Sequence, residues 1–177
     1  MLAGFFIFIT ILAATNASLF ELGIRTDNLK AAVPVYAGTT AVMFFVLVVA
    51  SKMLRTKNKF SWWKDPHFLF LFIPISIAQQ FIFQAFLFQY LLLLLPFGFA
   101  AILVGLVFGL LHTIFPRATF NFVITSIAGT VFAILFYIYP NLILASLSHM
   151  ILNFTAVYLC FFTLLEANKT PKRTSLR

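Results

Sequence analysis

Residues 68–95 read FLFLFIPISIAQQFIFQAFLFQYLLLLL, an apolar run that carries four large polar side chains, Gln79, Gln80, Gln84 and Gln89. The run exceeds the roughly 20 residues that a helix needs to cross a bilayer. A side-chain amide in hydrocarbon is costly unless it finds a partner in the protein. Three glutamines so close together, at 79, 80 and 84, therefore predict a face turned into a bundle rather than toward lipid. Pro74 lacks an N–H and clashes with the preceding turn, so it is expected to break the run, leaving a short interfacial or re-entrant piece before a main helix from about Ile75.

The rest of the chain is written in the same alphabet. Of 177 residues, 63% are hydrophobic and only 9% charged, whereas soluble domains carry about a quarter charged. This is the composition of an integral membrane protein, and the expected fold class is all-α, a polytopic membrane helical bundle forming one domain over 1–177. About six spans are expected, at 2–18, 31–51, 68–95, 99–115, 119–138 and 142–165, followed by a basic tail over 166–177. Met1 to Ala17 lacks the basic start of a signal peptide and is taken as a retained first helix. Pro34 is acceptable near the beginning of the second span. Pro96 to Gly98 and Tyr139 to Asn141 are read as turns, and Pro116 with Arg117 as the end of the fourth span. The single cysteine, Cys160, excludes an intrachain disulfide.

The net charge of +8 would suggest nucleic acid in a soluble protein. Its distribution argues otherwise. Lys52, Arg55, Lys57, Lys59 and Lys64 share one loop with Trp62 and Trp63, which are placed as interfacial anchors; Arg117 lies two links on, and Lys169, Lys172, Arg173 and Arg177 lie in the tail. Alternate crossings put these ten of the twelve basic residues on one side, with Arg25 and Lys30 opposite. The positive-inside rule then places both termini in the cytoplasm, and in a prokaryote the membrane is the plasma membrane. The bilayer is the expected partner, and nucleic acid is not.

All four acids, Glu21, Asp27, Asp65 and Glu166, fall in links or at a membrane edge. No carboxylate is available in the bilayer for general-base work. Three polar constellations remain. Gln80 and Gln84 share a helix face, with Gln79 one step round and Ser76 a turn earlier. Phe108 and His112 are four apart, and Gly105 and Gly109 form a GxxxG on the same side, so His112 should face the bundle. Ser146, His149 and Asn153 share a face of the last span, with Cys160 further along. Such groups commonly serve as interhelical hydrogen-bond glue. Two histidines on separate spans, each on a polar face, point instead to a shared polar cavity. There an imidazole can act as base, and imidazole or amide can donate to an oxyanion. A zinc ion at His112 and His149 would be underfilled, so no cofactor is expected. His67 is read as an interfacial surface residue.

The order of these motifs resembles the CPBP family, which includes the CAAX prenyl proteases and the Abi-like bacteriocin-processing enzymes of the membrane. Its pattern is Glu-Glu-x-x-x-Arg after a proline, then Phe-x-x-x-His, then His-x-x-x-Asn or Asp. Here the second motif is intact as Phe108 to His112 and the third as His149 to Asn153, while the first reads Gln79-Gln80-Phe81-Ile82-Phe83-Gln84 after Pro74. Glu21-Leu22-Gly23-Ile24-Arg25 is similar to the Leu-Gly-Leu-Arg stretch found upstream in such proteins. The resemblance implies an intramembrane endopeptidase in which the first glutamate and the second motif's histidine activate water, and the last motif's His and Asn hold the oxyanion. Gln79 replaces that glutamate. Gln80 and Gln84 replace both members of an implied ion pair, which strands no charge. Gln79→Glu alone is expected to bury a carboxylate without a cationic partner.

Three functions follow. The chain is a catalytically impaired relative that binds membrane-embedded or lipidated peptides. Alternatively it is an active endopeptidase using His112, His149 and Asn153. A third reading is a small transporter or channel component lined by Gln84, His112 and Asn153.

Overall fold

The computed structural model describes residues 18–54, 66–115 and 117–161, with side chains omitted at 66–69 and 71. The expected span at 2–18, but for Ser18, the Trp62–Trp63 loop, the His67 side chain, Pro116 and the tail at 166–177 lie outside what is described. Every regular element among the described residues is helical. Five helices carry the fold: α1 (Leu29–Met53), α2 (Pro66–Gln80), α3 (Phe97–Leu111), α4 (Ala118–Ile138) and α5 (Leu142–Tyr158). Four stretches, Leu29–Met53, Phe72–Leu92, Phe97–Ile114 and Ala118–Ile138, are long and apolar enough to cross a membrane, and α5 is a shorter apolar helix.

Pro74 does not break the chain. It sits inside α2 with its ring exposed, so the carbonyl it leaves unbonded lies on an outer face rather than in the core. The irregularity comes about two turns later. Phe81–Phe88 is π-helical, followed by a last α turn at Gln89–Leu92. Its wider turn accommodates one extra residue and brings Phe81, Phe83, Gln84, Ala85 and Phe88 inward together. Gln89, just beyond, is exposed, against the inward placement that its neighbours adopt.

The link after this segment uses Pro96 as the residue before α3, so the helix starts at Phe97 rather than Phe99. Arg117, left-handed at φ 62°, precedes α4. The last helix ends earlier than its apolar run suggests. Cys160 adopts φ 60°, its N–H bonds Val157 O at 3.0 Å, and the Phe161 N–H bonds Ala156 O at 2.8 Å. This paired arrangement closes a helix with a left-handed residue, and a cysteine there gives none of the signal that glycine would.

Residues 18–28 clamp the start of α5. Gly23, at φ 81°, presents its carbonyl to Leu142 N at 2.8 Å, and a Cβ there would meet the Phe136 ring at 2.8 Å. Asn141 caps α5 by accepting from Leu144 N at 3.0 Å, and its Nδ2 donates to Arg25 O at 2.9 Å and Asn28 Oδ1 at 2.8 Å. The Arg25 guanidinium pairs with Asp27, holding that carboxyl below its ordinary range, and lies 3.8 Å from the centre of the Phe20 ring. The sequence stretch Glu21 to Arg25 is thus the buckle that sets the position of α5.

Two apolar clusters fill the interior. One joins α1, α4 and α5 through residues such as Tyr36, Phe132, Phe136 and Leu152; the other joins the π-helical turn, α3 and α4 through Phe83, Phe88, Val104 and Phe108. The α3–α4 pair packs backbone on backbone. A Cβ on Gly105 would stand 2.0 Å from Thr130 Oγ1 and 2.5 Å from Ser126 O, and one on Gly109 would stand 2.0 Å from Ser126 Oγ. In lipid, where burial adds little between helices, such close approach is a principal source of association. Gly105→Ala should therefore lower stability by about 1–3 kcal/mol through overpacking. Gly98→Ala, with nothing within 4 Å, should leave stability nearly unchanged. Denaturation in mixed detergent, followed by circular dichroism, compares the two.

Candidate functional site

Two helices bring four polar side chains into one hydrogen-bonded row. The α5 residues His149 and Asn153 are a turn apart, and Asn153 Nδ2 lies 2.6 Å from His149 Nε2. From α2, Gln79 places Oε1 at 3.0 Å from the same nitrogen, and Ser76 Oγ accepts from Asn153 Nδ2 at 3.4 Å. One imidazole nitrogen either donates or accepts. If His149 Nε2 donates to Gln79, the Asn153 amide turns its oxygen toward the ring; if it accepts from Asn153, Gln79 turns its nitrogen. Both amides have the needed second face. An ionised carboxylate at position 79 would allow only the first arrangement.

His112 reaches the same neighbourhood from α3. It follows Leu111, where the α-helix tightens into a 3₁₀ turn, and its Nδ1–H donates to Phe108 O at 2.9 Å. That bond fixes the neutral tautomer whose Nε2 carries the lone pair, the form that accepts a proton. The Phe108 ring touches both histidines, with centroids 4.7 Å from His112 and 5.4 Å from His149. Phe83 supports it edge-on at 5.1 Å, and Phe132 approaches His149 at 5.9 Å.

An apolar cavity of about 260 Å³ lies beside this row. Phe108, Phe132, Leu152, His149 and Asn153 are buried at its floor, while Val42 and Val46 of α1 and Ile127 of α4 form an exposed rim. The opening between α1 and α4 therefore faces sideways from the bundle. Its α4 wall follows Thr125, Ala128 and Phe132, spaced as one helix face. That spacing is the signal for this wall, with Thr125 as its one polar residue.

The candidate residues separate accordingly. Ser76, Gln79, His149 and Asn153 are linked by hydrogen bonds, and His112 joins them through Phe108. Gly105 and Gly109 lie in the α3–α4 seam, away from the cavity lining. Ser146 is buried without lining the cavity, and its hydroxyl has no hydrogen-bond partner among the described residues. Gln80 and Gln84 are completely buried, and their four amide N and O atoms have no hydrogen-bond partner among the described residues.

Gln79 hydrogen-bonds His149, the third motif's histidine, while the resemblance pairs position 79 with His112. The group 3.0 Å from Gln79 Oε1 is an imidazole and not a standing cation, so Gln79→Glu is still expected to bury a carboxylate without a cationic partner. Among the described residues the only acids are Glu21 and Asp27, both exposed and far along the chain from the row, and no three His, Cys, Asp or Glu side chains gather as a metal site.

The three motif positions fall within one recognised family. The family described as Type II CAAX prenyl endopeptidase Rce1-like matches residues 60–155, more than half of the chain, spanning Gln79, His112, His149 and Asn153. No curated protein and no solved structure matches. This integral membrane helical bundle belongs to the Rce1-like family of Type II CAAX prenyl endopeptidases.

Proposed function

We propose that this CPBP-type membrane protein binds a lipidated or membrane-embedded peptide without cutting it efficiently. The observation that carries this reading is the neutral amide of Gln79 on His149, in a row without a carboxylate. An amide cannot take a proton from water near neutral pH, and a positioned general base contributes roughly 10²–10⁴ in rate. The apolar cavity opening sideways beside His149 and Asn153 supports lateral entry of a lipid-borne ligand. We assign no metal, because two imidazoles without a carboxylate underfill a zinc site. A second reading, an active endopeptidase with His112 as base, draws on the Nδ1–H bond to Phe108 O that leaves Nε2 as acceptor.

The assay that separates these readings uses a prenylated peptide and the purified full chain. The native protein should show no cutting above background, while Gln79→Glu, Gln80→Glu, Gln84→Arg together should gain it. Cleavage by the native protein that His112→Ala abolishes would establish the second reading instead.

The buried amides at 80 and 84 make a separate prediction. Gln80→Glu or Gln84→Arg alone should destabilise by about 3–5 kcal/mol, because either strands a charge. The double substitution should recover much of that loss, which a double-mutant cycle of thermal or denaturant stability measures. Additive losses would show that the two side chains cannot pair.

The topology that accompanies this reading has both termini in the cytoplasm. With Cys160 replaced by serine, single cysteines introduced at Lys57 and Lys172 should react with a membrane-impermeant maleimide only after the cells are opened, and one at Lys30 should react in intact cells.

A further inference from the structure

Round α1 from the cavity rim, the outer faces of α1 and α5 leave a groove between them. Two hollows of about 340 and 460 Å³ follow one another along it and share Phe44 and Ile151. The first reaches Val33 and Leu144, near the starts of both helices; the second reaches Val48 and Tyr158, near their ends. The groove therefore runs for about 22 Å along α1. Its threonine hydroxyls are satisfied within their own helices, Thr40 Oγ1 donating to Tyr36 O at 2.7 Å and Thr155 Oγ1 to Ile151 O at 2.8 Å. What the groove presents is hydrocarbon. Ala37 and Ala41 on its α1 wall are exposed, and a Cβ on the adjacent Gly38 would meet nothing within 4 Å, so the surface admits the close approach of a helix backbone. Of the four spanning stretches, α1 is the least buried.

We propose that this groove is the docking surface for the chain's own residues 2–17, seated as an apolar helix antiparallel to α1 and α5. The described chain begins at Ser18, and the place where it begins is decisive. Leu22 is buried in the same cluster as Tyr36 and Leu142, and Gly23 O accepts from Leu142 N at 2.8 Å, so residue 17 is tethered at the end of the groove where α1 and α5 start. Leu2 to Ala17 contains no charged residue and as a helix rises about 24 Å, which matches the groove. Thr10, Ala13, Ala14 and Ala17 fall on one helix face, at the end that meets Ala37 and Ala41. Phe5, Phe6 and Phe8 fall toward the larger hollow. Joined by so short a link, the segment acts at an effective concentration of roughly millimolar order, which favours it over a second copy of the chain.

Disulfide trapping in the full chain tests this. With Cys160 replaced by serine, Ala13→Cys is combined in turn with Ala37→Cys, Ala41→Cys and Ile102→Cys, and membranes are oxidised with copper phenanthroline. Ile102 is exposed on α3, which starts at the same end of the bundle, where Phe97 meets Tyr137 at 4.4 Å. Thr10→Cys with Ile151→Cys repeats the test against α5, so that a helix rotated away from α1 is still caught. The readout is a monomer band that, after denaturation, no longer accepts maleimide-linked polyethylene glycol at either thiol. At least one groove pair should close about tenfold faster than the Ile102 pair, since a disulfide needs Cα atoms within about 7 Å. Chains carrying Ala13→Cys and Ala37→Cys separately, expressed together, should give no crosslinked dimer. Closure only between separate chains overturns the proposal in favour of a second copy in the groove. No closure in any groove pair, or closure no faster than with Ile102, overturns it in favour of lipid.

Discussion

The hydrogen-bonded row from Ser76 through Asn153 and His149 to Gln79 ties α2 to α5 at the level of the cavity floor. Inside a bilayer such bonds face little competition from water, although each contributes only about 1 kcal/mol because separated helices find other partners. Their main effect is on register. Sliding either helix by a turn would separate both contacts between the helices and leave the amides of Gln79 and Asn153 without those partners. The clamp at Asn141 fixes the beginning of α5, so the row is held both at its own level and from the end of the helix.

The row also fixes what chemistry the bundle can offer. His112 is oriented by Phe108 O and placed against the Phe108 ring, which touches His149 on another side. Imidazoles and amides are thus gathered close to an apolar space, and the acids among the described residues, Glu21 and Asp27, are exposed before α1.

Much of this was legible in the sequence because hydrocarbon restricts what a chain may place in it. Among the described residues apolar runs located the helices to within a few residues except at the end of α5, which stops at Tyr158 rather than 165, and the Gly105–Gly109 spacing identified the close-packed face. The pairing of His149 with Asn153 followed from helical periodicity. What remained hidden depended on three-dimensional neighbours. The partner of Gln79 required knowing which helix lies alongside α2. The rim of the cavity consists of ordinary apolar residues, indistinguishable by type from those facing lipid elsewhere. Pro74 misled because a proline in a membrane helix is tolerated where its orphaned carbonyl can be accommodated, and Cys160 ended α5 without a glycine. Gln80 and Gln84 turn inward as expected, yet among the described residues they meet no hydrogen-bonding group there.

The π-helical turn sets the angular phase between the two halves of one long rod. Before it, Ser76 and Gln79 address α5; within it, Phe83 and Phe88 address α3 and α4. Each residue of an ordinary helix advances the azimuth by about 100°. The rod can satisfy both sets of neighbours only by carrying a surplus residue between them. Its length is consequently as much a part of the design as its composition, and removing a single residue there would set one half out of step with its neighbours even if every side chain in the row were kept.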